Sequence, residues 1–462
     1  MANGNPLMRR AQSIPGQENP FERFGLSQNP FPDSPVIVPD SSDPRVNGEI
    51  YQAGLRRTEQ EQFEHFLIPN AERPEPRSIA FLMDYATRQG RGIGKTAFLN
   101  QQHRRVMEDL GDKLTGGTYV LLAAHLFPEG GGRTRKFWQF TRLIARSLVK
   151  GNCVAWAIWR LRAFSGKIPE EVLADVDPAD PGPTLGNDRW LQDQGVNLVF
   201  ALNSAVEQTL RQAGVREDVA RALAQHGHSP ETFEQHFLDH QSDYRWRRSG
   251  DLLVFDDLVR LFLTAGINRM LLLVDEVEKI VVPQNRQERQ AFVDDLRRYF
   301  IDGPFQSVYH RFYSLLLTIH PYVQELWTPY WKASGLDRVC DISGTAAPEY
   351  TIYFQPLDAE ETAVPLVLEY LDYFRLADDQ RGELQPFSRE AVVEALKLSR
   401  GVPGLMLSLL KLAMERAVQG KWESIGPDQI RTIYQSKPPI EPPDDDDGEG
   451  LPPVRTDLTG EG

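Results

Sequence analysis

At 462 residues and 41% hydrophobic content, the chain is long enough for two or three structural units and apolar enough to bury a large core. Acids outnumber bases 65 to 51, a net charge of -14, which disfavours broad, sequence-blind attraction to nucleic acid or anionic membrane and leaves a local basic patch for any DNA contact. Cys153 and Cys340 are too few for a disulfide framework or a zinc site, no apolar run reaches about eighteen residues, and the N-terminus lacks a signal-peptide core, so the expectation is a cytoplasmic chain with no membrane span.

In chain order, residues 1–55 are rich in Pro, Asn and Ser and read as an extended N-terminal arm. RRTEQEQFEHFL then places Phe63, Phe66 and Leu67 on one helical face. Thr58 and Glu61 stand at capping-box spacing, which predicts a helix start near Thr58. SIAFLMDY (78–85) predicts a buried strand, followed by the Gly-rich stretch RQGRGIGKT and a helix that runs toward Gly116 and Gly117. TYVLLAAHLF (118–127) predicts a second buried strand. Helix-like segments such as KFWQFTRLIARSLV, AWAIWRLRAF and SAVEQTLRQAGV fill a long insertion at about 130–249. MLLLVDE, YSLLLTIH and YTIYFQPL supply three more strands, giving a five-strand α/β alternation and hence a parallel sheet. Residues 358–436 read as an α-helical unit and 437–462, Pro-rich and acidic, as a disordered tail.

Two stretches carry chemistry. A phosphate-binding loop needs small residues so that successive backbone N–H groups curl around phosphate oxygens, a lysine to neutralise charge, and a hydroxyl for magnesium. The run Gly90, Arg91, Gly92, Ile93, Gly94, Lys95, Thr96, Ala97 provides them. Lys95 is placed to reach the β and γ phosphates of ATP, and Thr96 to ligate Mg2+ from the following helix's N-terminus. Gln89 stands where G-x-x-x-x-G-K-[ST] expects glycine, and with Gly90 adjacent a shifted turn recovers the same backbone path. The bland alternative is a Gly-rich surface turn. The second stretch is MLLLVDE, which brings Asp275 and Glu276 to the carboxyl end of a buried strand. Asp275 is suited to hold magnesium through water and Glu276 to orient or deprotonate the attacking water. Here the bland alternative is an acidic pair that caps a strand. Glu278 and Lys279 read as solvated helix residues.

With these motifs the sequence resembles the AAA+ P-loop ATPases, and more narrowly the branch containing ExeA-type secretion ATPases, the TniB and TnsC transposition regulators and origin-recognition ATPases. FGLSQNPF (24–31) is similar to the opening of the ExeA type. TIHPYVQEL is similar to the end of the fourth strand, which puts His320 at a polar sensor position. LDAEET and FSREAVVEALKLSRGVPGL resemble the signatures of a helical lid. The resemblance implies an AAA+ core over 56–357, a lid over 358–436, and an arginine ahead of the last strand, Arg338, that reaches into a neighbouring subunit's site; the plain reading of Arg338 is a surface arginine. Two departures stand out: the insertion is longer than usual, and Gly404 occupies the place of the lid arginine, with Arg400 four residues earlier.

The resemblance implies an ATP hydrolase that works as a homo-oligomer and transmits its nucleotide state to a protein effector, in a mobile-element or defence setting where DNA is a candidate ligand. A nucleotide-gated scaffold with little hydrolysis and a secretion-type energising ATPase are the alternatives. The best DNA patch is Arg133–Arg146, where Arg135, Lys136, Arg142 and Arg146 alternate with Phe137, Trp138 and Phe140; a helix there is expected to put Arg135, Arg142 and Arg146 near one side. The competing reading is an amphipathic helix with core aromatics and solvated bases. YRWRRSG (244–250) is a shorter candidate, and HGH at 226–228 reads as a loop rather than a metal site.

Overall fold

In the computed structural model the five apolar runs form strands β1 (Ile79–Asp84), β2 (Leu121–Leu126), β3 (Arg269–Val274), β4 (Tyr313–Ile319) and β5 (Thr351–Phe354). They make one all-parallel sheet in the order β2-β3-β4-β1-β5. The structure describes residues 19–33, 41–69, 77–84, 92–109, 114, 119–196, 199–225, 233, 250–302, 312–343, 349–357 and 360–436. The Arg91 and Gly90 positions of the loop, the YRWRRSG and HGH stretches apart from Gly250, and the acidic tail lie outside them. Among the described residues no helix is long and apolar enough to cross a membrane.

The strands are apolar without alternation because both faces of the sheet are covered, as parallel strands require. All six residues of β3 and all seven of β4 are buried. Order decides where chemistry can occur. The chain leaves β1 toward the β2 edge, whereas it leaves the adjacent β4 past β1 to the opposite edge at β5. Connections that diverge from neighbouring strands open a crevice at their carboxyl ends, the place where α/β sheets bind ligands.

Helix α1 (Arg57–Leu67) buries Phe63, Phe66 and Leu67, as its periodicity demands. The Thr58–Glu61 capping box does not form. A 3-10 turn, Ala53–Arg56, leads in, so Thr58 already lies inside the helix and Arg56 is the N-cap, with no side-chain cap. Arg56 instead pairs with Glu59 at 2.9 Å and donates to the Gln355 carbonyl at 2.7 Å, a tertiary anchor in place of a local one. Helix α2 (Lys95–Arg104) follows the Gly-rich loop. The stretch between β2 and β3 holds α3 (Phe137–Lys150), α4 (Cys153–Ala163), α5 (Val199–Gln212), α6 (Glu217–Ala224) and α7 (Gly250–Thr264). Its apolar faces belong to the same hydrophobic cluster as the sheet. Helix α8 (Arg286–Arg297) precedes β4 and α9 (Pro321–Ala333) follows it. Cys153 and Cys340 are buried and unbonded, and burial pushes the Cys153 thiol up to about 12.

Residues Ala53–Gly90 and Gly94–Gln355 make up one compact unit, and Met1–Gln52, Arg91–Ile93 and Pro356–Gly462 the other. The second is helical: α10 (Glu360–Phe374), α11 (Arg389–Leu398), α12 (Pro403–Gly420) and α13 (Pro427–Ser436). The described part of the expected arm up to Gln52 is built into it. Phe31 is fully buried between the rings of Tyr370 and Phe387, Arg375 donates to the Phe24 carbonyl at 2.7 Å, and Asp33 pairs with Lys411 at 2.7 Å. The FSREAVVEALKLSRGVPGL run explains its own geometry. Ser388 caps α11 by accepting from the Ala391 amide, and Pro403 opens α12. Between them Gly401 has φ +76°, and a Cβ there would meet the Leu357 carbonyl oxygen at 2.2 Å, so only glycine serves.

Candidate active site

The site is assembled at the carboxyl ends of β1, β4 and β3. After β1 the described chain resumes at Gly92, φ 78°, and Gly94, φ 97°. A Cβ at Gly94 would meet nothing within 4 Å, so backbone conformation, not crowding, demands this glycine. Gly94 is the N-cap of α2 and makes no side-chain cap, so the amides of Lys95, Thr96 and Ala97 open the helix as donors without intrahelical acceptors. Such a helix start favours an anion.

Asp275, the first residue after β3, is 3% exposed and is held by three donors. Thr96 Oγ1 donates to Oδ2 at 2.6 Å, while Thr318 Oγ1 at 3.0 Å and the Glu276 amide at 2.9 Å donate to Oδ1. Burial raises the Asp275 carboxyl above its ordinary range, with the Glu278 charge adding to it, while the hydrogen bonds from Thr96, Thr318 and Glu276 pull it back. Thr318 escaped sequence reasoning. Its signal was there: it lies two residues before His320 in an apolar run, so the two side chains leave β4 on the same side.

Glu276 has φ 47°, an unusual backbone for a residue with a side chain. Burial also raises its carboxyl, opposed by Lys279, whose Nζ lies 2.6 Å from Oε2. The chain then enters a short helix, Glu278–Val281. Glu278 and Lys279 are not solvated helix residues, because the sharp turn at Glu276 directs both back to the sheet edge. Lys279 pairs with Glu276, and Glu278 Oε1 accepts from His320 Nε2 at 3.3 Å. For Glu278 burial acts in the raising direction and is outweighed by the His320 hydrogen bond and charge, its own backbone amide and the positive charge of Lys95, leaving it below the usual glutamate range. His320 sits where Pro321 opens α9, so the helix start fixes it at the end of β4. Glu278 Oε2 and His320 Nδ1 are buried with no hydrogen-bond partner among the described residues, as polar groups that face a ligand often are.

Lys95 is buried one residue before Thr96, whose hydroxyl contacts Asp275, and its positive charge acts on Glu278. A hydroxyl and a carboxylate in contact form an all-oxygen pair suited to magnesium, which keeps several waters and takes only one or two protein ligands beside phosphate oxygens. Among the described residues no cluster of three or more His, Cys, Asp or Glu could cage an ion on its own. Arg338 is exposed in the turn Leu336–Arg338 ahead of β5 and joins none of these contacts.

Within the helical unit, which includes Arg91–Ile93, the Gly404 amide donates to the Gly92 carbonyl at 2.8 Å. Arg400, exposed and with φ 52°, makes no comparable contact among the described residues.

The Arg133–Arg146 stretch is organised differently from the expectation. The helix begins at Phe137, so Arg135 precedes it and does not share a face with Arg142 and Arg146. Phe137 and Phe140 are buried against Phe292, each at 5.6 Å, and Arg142 is buried too. Arg133 and Arg146 both face Glu129, at 3.6 and 3.8 Å, and Arg135 faces Glu288 at 3.4 Å. The aromatics are core because the sheet needs covering, while each of these three arginines faces an acid. Comparison with protein-family models, with curated proteins and with solved structures returned no match.

Proposed function

We propose that the chain is an AAA+ ATPase that binds ATP with Mg2+ and hydrolyses it, working as a homo-oligomeric switch or remodeller for a protein effector. The observation that carries this reading is the 2.6 Å contact between Thr96 and Asp275, which unites a G-x-G-K-T loop with the acid of a distant strand. Support comes from the sheet: the loop follows β1, the acids follow β3, and the polar end of β4 lies between them, in the order the resemblance implies.

In this reading the α2 amides and Lys95 bind the triphosphate, and Asp275 and Thr96 hold the magnesium site. Bound magnesium would neutralise charge on the β and γ phosphate oxygens. Glu276 accepts a proton from water as the water oxygen bonds to the γ phosphorus. The bond from that phosphorus to the bridging oxygen breaks, its electron pair stays with ADP, and the proton passes on to solvent. His320 is the sensor at the γ phosphate, oriented by Glu278, and Arg338 serves a neighbouring subunit. DNA is a candidate ligand of the Arg133–Arg146 region, where Arg133, Arg135 and Arg146 each face an acid that a phosphate would have to displace.

One observation favours a second reading, a nucleotide-gated scaffold with little hydrolysis: Gly404 offers an amide where the lid signature places an arginine. Multiple-turnover phosphate release separates the two. The purified chain with ATP and Mg2+ is expected to turn over repeatedly. Glu276→Gln is expected to lower kcat by about a hundredfold or more while retaining ATP. Unchanged turnover in that variant removes Glu276 from the mechanism, and a wild-type chain that binds ATP without turnover establishes the scaffold.

A further inference from the structure

This inference rests on the reading of Glu276 as the residue that takes the proton from water. Lys279 stands one helical turn beyond it, with Nζ 2.6 Å from Oε2. A charge-assisted contact of this length fixes the direction of the carboxylate and fills one acceptor position on Oε2, turning that oxygen toward the lysine rather than toward a water. It is also easily opened. The two side chains are 37% and 32% exposed, so water can replace either partner, and such pairs hold weakly compared with buried ones. Residues 276 and 279 face each other across one helical turn, which the Lys279 amide closes by donating to the Glu276 carbonyl at 3.0 Å.

We propose that Lys279 is a resting-state latch on Glu276, a positioning residue that must release the carboxylate before water can be activated. The turn has a parallel arrangement one residue earlier, where Glu278 engages His320. The first two residues of the short helix therefore each hold a group that the reaction uses. Asp275 differs: its donors come from α2, β4 and its own turn and leave it no charged partner among them. The design separates a fixed metal-site acid from a releasable base.

The test is steady-state ATP hydrolysis by the full chain with Mg2+, comparing wild type with Lys279→Met, Lys279→Gln and Lys279→Arg. The neutral variants are expected to raise kcat about threefold to fivefold with KM within about twofold, the scale of a half-exposed ion pair. Lys279→Arg, which restores the pair, is expected to stay near wild type. Unchanged or lower kcat in both neutral variants, or an effect on KM alone, overturns the latch. A wild-type chain that neither binds nor hydrolyses ATP brings down the parent reading and the latch with it, whereas normal binding and turnover with unresponsive Lys279 variants defeats the latch alone.

Discussion

Two regions of this molecule are rich in charged residues, and they turned out in opposite ways. At the carboxyl edge of the sheet, Thr96 and Thr318, from distant parts of the chain, both donate to the carboxylate of Asp275. In the stretch from Arg133 to Arg146 the interesting residues are neighbours in sequence, yet the fold sends Phe137, Phe140 and Arg142 into the interior and gives Arg133, Arg135 and Arg146 acidic partners. Proximity along a helix is shared out between core and surface by the amphipathic period. Convergence from separate elements has no such cheap explanation, because burying polar groups costs free energy unless they satisfy each other.

The contrast can be broken from either side. Phe140→Ala should cost about 3–5 kcal/mol in denaturant unfolding if the basic stretch is chiefly a core helix. A loss below about 1 kcal/mol would mean its aromatics are not structural. Thr318→Val keeps the shape of a β-branched residue but removes one donor to Asp275. We expect about a tenfold fall in kcat and a higher Mg2+ requirement, on the scale of one charge-assisted hydrogen bond. Identical Mg2+ dependence would show that Thr318 does not orient the acid. Arg146→Ala should be the mildest change, within about 0.5 kcal/mol in stability, and should leave duplex DNA affinity at fixed salt unaltered. Loss of salt-dependent DNA binding in this variant would restore the basic patch as an interface.

Much of the fold was legible because parallel strands are buried on both faces. IAFLMD, LLAAHL, RMLLLV, YSLLLTI and TIYF each announce themselves as short, mostly apolar runs without alternation between helical segments. The start of α1 was not, since the Thr58–Glu61 spacing competes with a tertiary bond from Arg56 to Gln355 that no local pattern encodes. The N-terminal arm illustrates the same limit. Its composition disfavours regular elements, but composition is silent about Phe31 filling a gap between Tyr370 and Phe387. Within the site, Lys95, Thr96, Asp275 and Glu276 follow from motif chemistry. Glu278 and Lys279 do not, because the left-handed turn at Glu276 reverses the direction in which a plain helix would point them.

The central claim is that the loop ending in Lys95 and the acid at Asp275 form one triphosphate site. Equilibrium binding of ATP with Mg2+ to the wild-type chain and to Lys95→Ala tests it most directly. The account predicts saturable one-site binding that weakens by at least about a hundredfold in the variant, the consequence of removing a buried charge from its partner. Absence of ATP binding by the wild type, or equal affinity in the two proteins, would contradict it.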